Sequence, residues 1–420
     1  MSRVPAGRAA RAVRVASLLA KLAAGAAEPA AVRAERVVTA LAELRGAALK
    51  LGQLFSLQGS DLLPPEMQFA LAALRNGAAI APFSQVEGVL RRELGRDWRA
   101  RFASIDPEPL AAASIGQVHA ATACDGRELA LKVQYPGIAR GIDADVDMAV
   151  LLLRTAGLVA PDRELGATLT RVKRELHREA DYRREARNTL AYRSWLEADP
   201  TFEVPRVHAD LSTRRVLASD RLRALPIEDL RSPEHPQALR DHLGTALFAL
   251  ALRELFELRR VQTDPNFANY LYLPRAQRIA LVDFGSLLDL PLELAGAYRS
   301  LLCAAVEGEE RDIAEAATRL GLLRGGENAA ARAAWLELVH TAAEPLRAKG
   351  PYDFAGSDLG RRVRALTASA YRATDLPVPS GEILFVQRKL AGTYLLLQHI
   401  GARADARAVY ERYVSSLART

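Results

Sequence analysis

The sequence predicts an α+β fold with two lobes: a small antiparallel sheet in the first and mostly helices in the second. Strand-like segments at 111–121 and 128–133 flank Asp125-Gly126, which indicates a hairpin. Abundant Ala, Leu and Arg, with few aromatic residues, favour helices over most of the remaining chain. Because the strands come first and the helices later, we expect the two lobes to join near residue 223.

Composition excludes several classes of protein. Half of the 420 residues are hydrophobic and 25% are charged, which is typical of a globular chain rather than a disordered or fibrous one. Cys124 and Cys303 form no CxxC pair, so neither a disulfide framework nor a structural zinc site is expected. The net charge of +7 favours anionic partners. Since zinc-finger and RNA-binding patterns are missing, we expect no nucleic acid and favour an anionic lipid membrane surface.

Four segments are predicted along the chain. Residues 1–33 form a basic amphipathic segment, which fits a membrane-surface anchor, an organelle presequence or a solvated helical terminus. Residues 34–105 form a helical extension, 106–223 the first lobe and 224–420 the helical second lobe.

Periodicity places the remaining elements. Helices are predicted at about 143–157 and 164–197, and an amphipathic helix at 410–420. Further strand candidates are 204–207, 215–222 and 278–282. No apolar run approaches the roughly 18 residues that span a bilayer, so we expect no transmembrane segment.

The strongest functional pattern is QTDPNFAN, ending at Asn269, followed fourteen residues later by Asp283-Phe284-Gly285. Phosphoryl transfer needs an acid that orients the nucleophile and oxygen ligands that hold Mg²⁺ at the phosphates. Asp264 is the predicted acid, and Asn269 and Asp283 are the predicted metal ligands. This spacing is that of protein kinases, except that Gln262-Thr263 replaces His-Arg.

Lys132 is the predicted phosphate-contacting lysine. Strand alternation within 129–133 places Lys132 on the face opposite the apolar side chains; a solvated edge lysine is the alternative. Phosphate loops usually lie about twenty residues earlier and are rich in glycine, which tolerates positive φ. Since alanine does not, we expect the segment here to bind nucleotide in a different way. Its candidate binding residues are Ala111, Ala112, Ala113 and Ser114.

Four acidic residues lie at turn spacing on the helix predicted at 164–197. Like charges at this spacing repel, so the face either meets cations or metal or is neutralised by the neighbouring arginines. The four are Glu175, Glu179, Asp181 and Glu185.

Together these motifs resemble the UbiB/AarF family of atypical protein-kinase-like proteins, which includes the mitochondrial coenzyme Q kinases. Lys50-Leu51-Gly52-Gln53 resembles its KxGQ motif, the alanines at 111–113 its alanine-rich loop, and Glu179-Ala180-Asp181 its ExD motif. The resemblance implies a bilobal protein-kinase-like fold that binds ATP and Mg²⁺, with the KxGQ extension folded across the cleft. It also implies that Lys50 lies near Glu179 and Asp181, and that Glu185 pairs with Lys132. Lys50, Gln53, Glu179 and Asp181 are accordingly further candidate nucleotide-binding residues.

The resemblance further implies ATP hydrolysis in support of ubiquinone, or isoprenoid quinone, biosynthesis at a membrane. We therefore expect an atypical kinase: a lipid-stimulated ATPase or a small-molecule or lipid phosphotransferase. The alternatives are a nucleotide-dependent scaffold and a protein Ser/Thr kinase. No Ala-Pro-Glu and no long polar segment follows Gly285, which disfavours the protein kinase. Expected partners are quinone-biosynthesis enzymes or isoprenoid lipids, and the expected location is the cytoplasm with peripheral membrane association.

Overall fold

The computed structural model describes residues 80–155, 163–372 and 379–415, together with Val32 and Pro377. Apart from Val32, the predicted basic segment at 1–33 lies outside the described residues, as do Lys50 and Gln53 of the predicted extension. The chain divides into two compact units. The first unit runs up to Arg187 and includes Val207–Arg221, and the second comprises Asn188–Arg206 and the chain from Leu222 onward.

The described helices and strands follow in chain order. They begin with α1 (Phe83–Leu94), β1 (Phe102–Ala113), β2 (Gly116–Ala123), β3 (Glu128–Gln134), α2 (Ile138–Thr155), α3 (Arg163–Glu179), α4 (Tyr182–Trp195), β4 (Phe202–Glu203), β5 (Val216–Asp220), β6 (Leu225–Pro226) and α5 (Gln237–Arg253). After a π-helical turn at Glu254–Leu258 come β7 (Arg260–Gln262), β8 (Tyr270–Leu273), β9 (Arg278–Leu281), β10 (Leu287–Asp289), α6 (Leu292–Glu307), α7 (Glu310–Arg319), α8 (Ala329–Ala342) and α9 (Glu344–Arg347). The last are β11 (Tyr352–Asp353), α10 (Leu359–Arg372), α11 (Gly381–Ile400), β12 (Arg403–Ala404), α12 (Ala406–Tyr410) and a π-helical turn at Glu411–Ser415.

The first unit is built on an antiparallel sheet with strand order β1-β2-β3-β5. A turn that contains Gly126, at φ 87°, joins β2 to β3, so the hairpin predicted at Asp125-Gly126 is confirmed. Leu129, Leu131 and Val133 of β3 are fully buried in a core shared with α1. This leaves Lys132 on the opposite face of the strand, as alternation predicts.

The prediction of one continuous helix at 164–197 is wrong, because α3 ends at Glu179 and α4 begins only at Tyr182. The Asp181 carboxylate accepts a hydrogen bond from the Arg183 backbone N–H (3.1 Å), which satisfies a donor at the start of α4. The Tyr182 N–H donates to the Arg214 carbonyl (3.0 Å) instead of continuing a helix. The acidic residues therefore do not form one helical face.

Gly116 opens β2 at a point where a side chain cannot fit. A Cβ there would lie 2.4 Å from the Val133 carbonyl oxygen and 2.8 Å from the Tyr182 hydroxyl oxygen. We expect Gly116→Ala to lower the free energy of unfolding by about 1–3 kcal/mol, because backbone must move. Thermal unfolding measures this. Gly88→Ala is the control: its Cβ meets nothing within 4 Å, and it should raise the stability of α1. Equal effects of the two variants would contradict the close approach.

The second unit combines helices with short strands. Its largest sheet has the order β4-β9-β8-β6, in which β4 and β9 are parallel and the other pairs antiparallel. The strand predicted at 278–282 is confirmed as β9. At 204–207 the prediction is wrong: the strand is β4, just before this range, and Val207 forms only an isolated bridge with Ser219.

Two predictions concern the end of the chain and the membrane. At 410–420, the described part is the end of α12 followed by the π-helical turn, not one regular helix. Among the described residues, no helix combines the length and the hydropathy needed to cross a membrane.

Candidate functional site

In the first unit, Lys132 forms a close ion pair with Glu185, as the resemblance implies. The Lys132 Nζ lies 2.6 Å from the Glu185 Oε1, and the two side chains are only 13% and 3% exposed. The ammonium also lies over the Tyr182 ring, 5.2 Å from its centroid. The middle of β3 and the first turn of α4 therefore hold the lysine head at a defined point on the sheet.

The alanine-rich segment is mostly strand rather than loop. Ala111, Ala112 and Ala113 are the last residues of β1 and pair with Val118, Gln117 and Gly116 of β2. Only Ser114 and Ile115 form the turn between the strands. Alanine keeps φ negative, so the ladder continues to the turn and does not open into a glycine-type phosphate loop.

The ExD residues lie at the break between α3 and α4. Glu179 ends α3, Asp181 precedes α4, and both side chains are half-buried. Between them, the Ala180 carbonyl accepts a hydrogen bond from the Gln134 side chain (2.8 Å). We did not single out Gln134 from sequence, although strand alternation places it on the same face of β3 as Lys132.

In the second unit, the β8–β9 hairpin places Asn269 beside the start of the Asp283-Phe284-Gly285 segment. Tyr270 pairs with Leu281, and the Val282 N–H donates to the Asn269 carbonyl (3.1 Å). The Asn269 side-chain N–H donates to the Asp264 backbone carbonyl (3.2 Å), so the amide oxygen is the atom of that side chain suited to a cation. The carboxylate of Asp283 accepts the Gly285 N–H (2.9 Å).

These donors fit a magnesium ion. Mg²⁺ takes oxygen ligands and commonly uses only one or two from the protein, with phosphates and water completing the shell. Asn269 and Asp283 offer one amide oxygen and one carboxylate, from segments that the β8–β9 hairpin brings side by side. The donor set is thus the right chemistry for Mg²⁺ bound together with a nucleotide.

The chain immediately after Gly285 is tied to the chain before Asp264. Leu287 pairs with Gln262 in the β7–β10 ladder, and the Thr263 N–H donates to the Ser286 carbonyl (2.9 Å). Only residues 286–291 separate Gly285 from α6. This connection of six residues is shorter than an activation segment.

Phe284 anchors its segment in the core of the second unit. Its ring is buried 4.7 Å from the Tyr192 ring, and its carbonyl accepts a hydrogen bond from the Asn188 side chain (2.9 Å). Asn188 and Tyr192 lie one turn apart on α4, and sequence reasoning missed both. Their contacts hold the backbone on the carboxyl side of Asp283.

Asp264 has a cationic neighbour that sequence reasoning also missed. An Nη atom of Arg388, on α11, lies 3.4 Å from the Asp264 Oδ1, and the side chains are 13% and 17% exposed. The separation is long for a charge-assisted hydrogen bond, which is usually below 3 Å. Arg388 therefore supplies both a countercharge and a long hydrogen bond to the Asp264 carboxylate.

A buried ion pair lies next along the same helix. The Lys389 Nζ is 2.8 Å from the Glu254 Oε2. Burial alone would lower the pKa of Lys389, but the charge of Glu254 and the contact with Tyr270 raise that pKa to about 12. Burial also raises the pKa of Glu254, against the opposing effect of Lys389. The lysine side of this pair stays charged throughout the physiological pH range.

Comparison with known proteins identifies the family. Residues 73–317 match the model of the ABC1 atypical kinase-like domain. The chain is 37% identical to the mitochondrial atypical kinase COQ8B of Rattus norvegicus, over 91% of this chain and 73% of that protein. It is 33% identical to the mitochondrial atypical kinase COQ8 of Saccharomyces cerevisiae, over 90% of this chain and 75% of that one.

Other relatives are matched over less of their length. The atypical kinase coq-8 of Caenorhabditis elegans is 35% identical, but the chain spans only 51% of it. Among solved structures, a Mycobacterium tuberculosis protein, Rv3197 in complex with erythromycin, aligns with a TM-score of 0.64 and 27% identity, over 90% of this chain and 94% of that one. The chain belongs to the ABC1 family of atypical kinase-like proteins, in agreement with the UbiB/AarF resemblance of its motifs.

Proposed function

We propose that this chain binds Mg-ATP and either hydrolyses it or transfers its γ-phosphoryl group to a small molecule or lipid. One observation carries the proposal: the hydrogen bonds that tie Asn269 to the Asp264 carbonyl and to Val282, directly before Asp283. They bring the chain at Asp264, Asn269 and Asp283 together within the second unit, and these are the residues that we propose as the acid and the two magnesium ligands. Family membership in the atypical kinases supports the same chemistry.

The roles follow from the side chains. An oxygen of water or of a substrate hydroxyl forms the new bond to the γ-phosphorus while the bond to the β–γ bridging oxygen breaks, and ADP leaves with that electron pair. Asp264 orients the nucleophile and receives its proton. Lys132 is held by its ion pair with Glu185, and we propose it as the residue that contacts the phosphates. Bound at Asn269 and Asp283, Mg²⁺ would neutralise phosphate charge.

The pathway proposal is support of ubiquinone or a related isoprenoid quinone at a membrane surface. It rests on the COQ8 relatives, which are mitochondrial, and on the UbiB/AarF resemblance. A net charge of +7 suits peripheral attraction to anionic lipid. The short connection at 286–291 favours water, a small molecule or a lipid as phosphate acceptor, because it offers no long segment for docking a protein substrate.

Phosphate release tests this proposal. We expect the purified chain to release phosphate from ATP in the presence of Mg²⁺ but not of EDTA, and to do so faster with anionic phosphatidylglycerol vesicles than with neutral phosphatidylcholine vesicles. Isoprenoid lipid added to the vesicles, with labelled ATP, reports transfer. Mg-ATP binding with neither release nor transfer under any of these conditions would overturn the enzyme proposal and support the nucleotide-dependent scaffold.

A further inference from the structure

Helix α11 closely approaches the segment 262–270, named here the QTD loop, within the second unit. A Cβ added at Gly392 of α11 would lie 2.2 Å from the Pro265 Cβ. Pro265 directly follows Asp264. Only glycine permits this approach, so the helix backbone packs directly against the QTD loop beside its acidic residue.

The buried pair of Lys389 and Glu254 reaches both ends of the QTD loop. The Glu254 Oε2 that pairs with Lys389 also accepts the Gln262 backbone N–H (3.1 Å). The Lys389 Nζ lies 3.4 Å from the Tyr270 hydroxyl oxygen. One ion pair thus contacts the first and the last residue of the loop that carries Asp264 and Asn269.

A gain in the free energy of unfolding does not explain the Lys389–Glu254 pair. Its side chains are 3% and 2% exposed, so both charges are removed from water. The desolvation of a buried ion pair often exceeds its Coulombic gain, and well-packed apolar residues frequently serve equally well. What an apolar pair could not supply is an acceptor for the Gln262 N–H and a polar partner for Tyr270.

Arg388 adds a contact within the loop. It precedes Lys389 on α11 and places its guanidinium 3.4 Å from the Asp264 carboxylate. Two successive cationic residues of one helix therefore act on the QTD loop, one at its ends and one at its acid.

We propose that α11 positions the QTD loop for catalysis: the Lys389–Glu254 pair fixes the two ends of the loop, and Arg388 orients the Asp264 carboxylate. Arg388, Lys389 and Glu254 are then positioning residues that act through Asp264 and Asn269. The catalytic consequence rests on the proposed function, whereas the restraint on the loop does not.

The first test separates positioning from folding. We expect Glu254→Leu/Lys389→Met to unfold within a few degrees of the wild-type temperature, because removing the desolvation cost of two buried charges offsets the loss of the partners of the Gln262 N–H and the Tyr270 hydroxyl. Backbone amides at 262–270 should nevertheless exchange with deuterium at least about 10-fold faster, since a lost hydrogen bond of about 1.4 kcal/mol opens them tenfold more often. Unchanged amide exchange in a variant of normal stability would overturn the proposal that the Lys389–Glu254 pair fixes the QTD loop, whether or not the chain hydrolyses ATP.

If the double variant does not fold, Tyr270→Phe and Lys389→Gln, each measured at a temperature where it is folded, give the same exchange readout. Loss of protection spread over the whole second unit would indicate a merely structural pair and would contradict the proposal. Loss confined to 262–270 would support it.

The second test concerns Arg388 and uses turnover. Arg388→Gln should lower kcat by about 10- to 100-fold through misplacement of Asp264, with KM for Mg-ATP and thermal stability within about twofold and a few degrees of wild type. Arg388→Lys, which keeps the charge, should recover part of kcat. Gln387→Ala, an exposed neighbour on α11, is the matched control and should change nothing. A wild-type kcat in Arg388→Gln would overturn the role of Arg388. Absence of turnover in the wild type would instead overturn the proposed ATPase. The exchange experiment would then still test whether the Lys389–Glu254 pair fixes the QTD loop.

Discussion

Asp283→Asn is expected to lower Mg-dependent turnover of ATP by about 100-fold or more, a loss typical of removing a group that stabilises transition-state charge. The substitution keeps the size of the side chain and one oxygen, so the hydrogen bond from the Gly285 N–H can persist. What it removes is the negative charge that favours Mg²⁺ at this position. Phosphate release at saturating Mg-ATP measures the effect, and raised Mg²⁺ should recover part of it.

Asp289→Asn provides the matched control for Asp283→Asn. Asp289 follows in the same part of the chain but is 72% exposed, and its pair with Arg260 is a surface contact worth less than about 1 kcal/mol. The control should therefore turn over at the wild-type rate. Wild-type turnover in Asp283→Asn would contradict the assignment of Asp283 as a metal ligand.

Lys132→Met is expected to impair both stability and turnover. Removing the ammonium leaves the Glu185 carboxylate buried without its 2.6 Å partner, and such a change typically lowers the free energy of unfolding by about 3–5 kcal/mol. Turnover should fall by about 100-fold, because the lysine is the predicted phosphate contact. Chemical unfolding and phosphate release, measured on the same sample, report the two losses.

Adding Glu185→Leu to Lys132→Met separates these losses. The double variant removes both charges, so we expect most of the stability to return while turnover stays low. Recovery of turnover together with stability would show that Lys132 stabilises the folded state and does not contact the phosphates. Nucleotide affinity, measured in the double variant, gives the same distinction without depending on turnover.

Sequence was most informative where the chemistry is local. Alternation placed Lys132 on the polar face of β3, and the spacing of Asn269 and Asp283 predicted residues that the β8–β9 hairpin brings together. Local pattern failed at Ala180-Asp181. Helical periodicity continues across that point, and the break depends on Gln134 and Arg214, which come from other strands and turns.

The contacts made by α11 could not be predicted from the sequence. Arg388 and Lys389 sit in an ordinary helical pattern, and nothing local distinguishes them from solvated cations. Their partners, Asp264 and Glu254, are distant in sequence and are reached only through the packing of the second unit. The strands β7 and β10 were missed for a related reason: three residues are too few for a period-2 pattern.

Calorimetric titration of ATP with and without Mg²⁺ tests whether Asn269 and Asp283 hold Mg²⁺ together with ATP. The wild-type chain should bind ATP at least about 10-fold more tightly with Mg²⁺, as expected for a metal shared between protein oxygens and phosphates. Asp283→Asn should lose most of that difference, and Asp289→Asn should keep it. Equal affinity with and without Mg²⁺ in the wild type, or no ATP binding at all, would contradict this assignment.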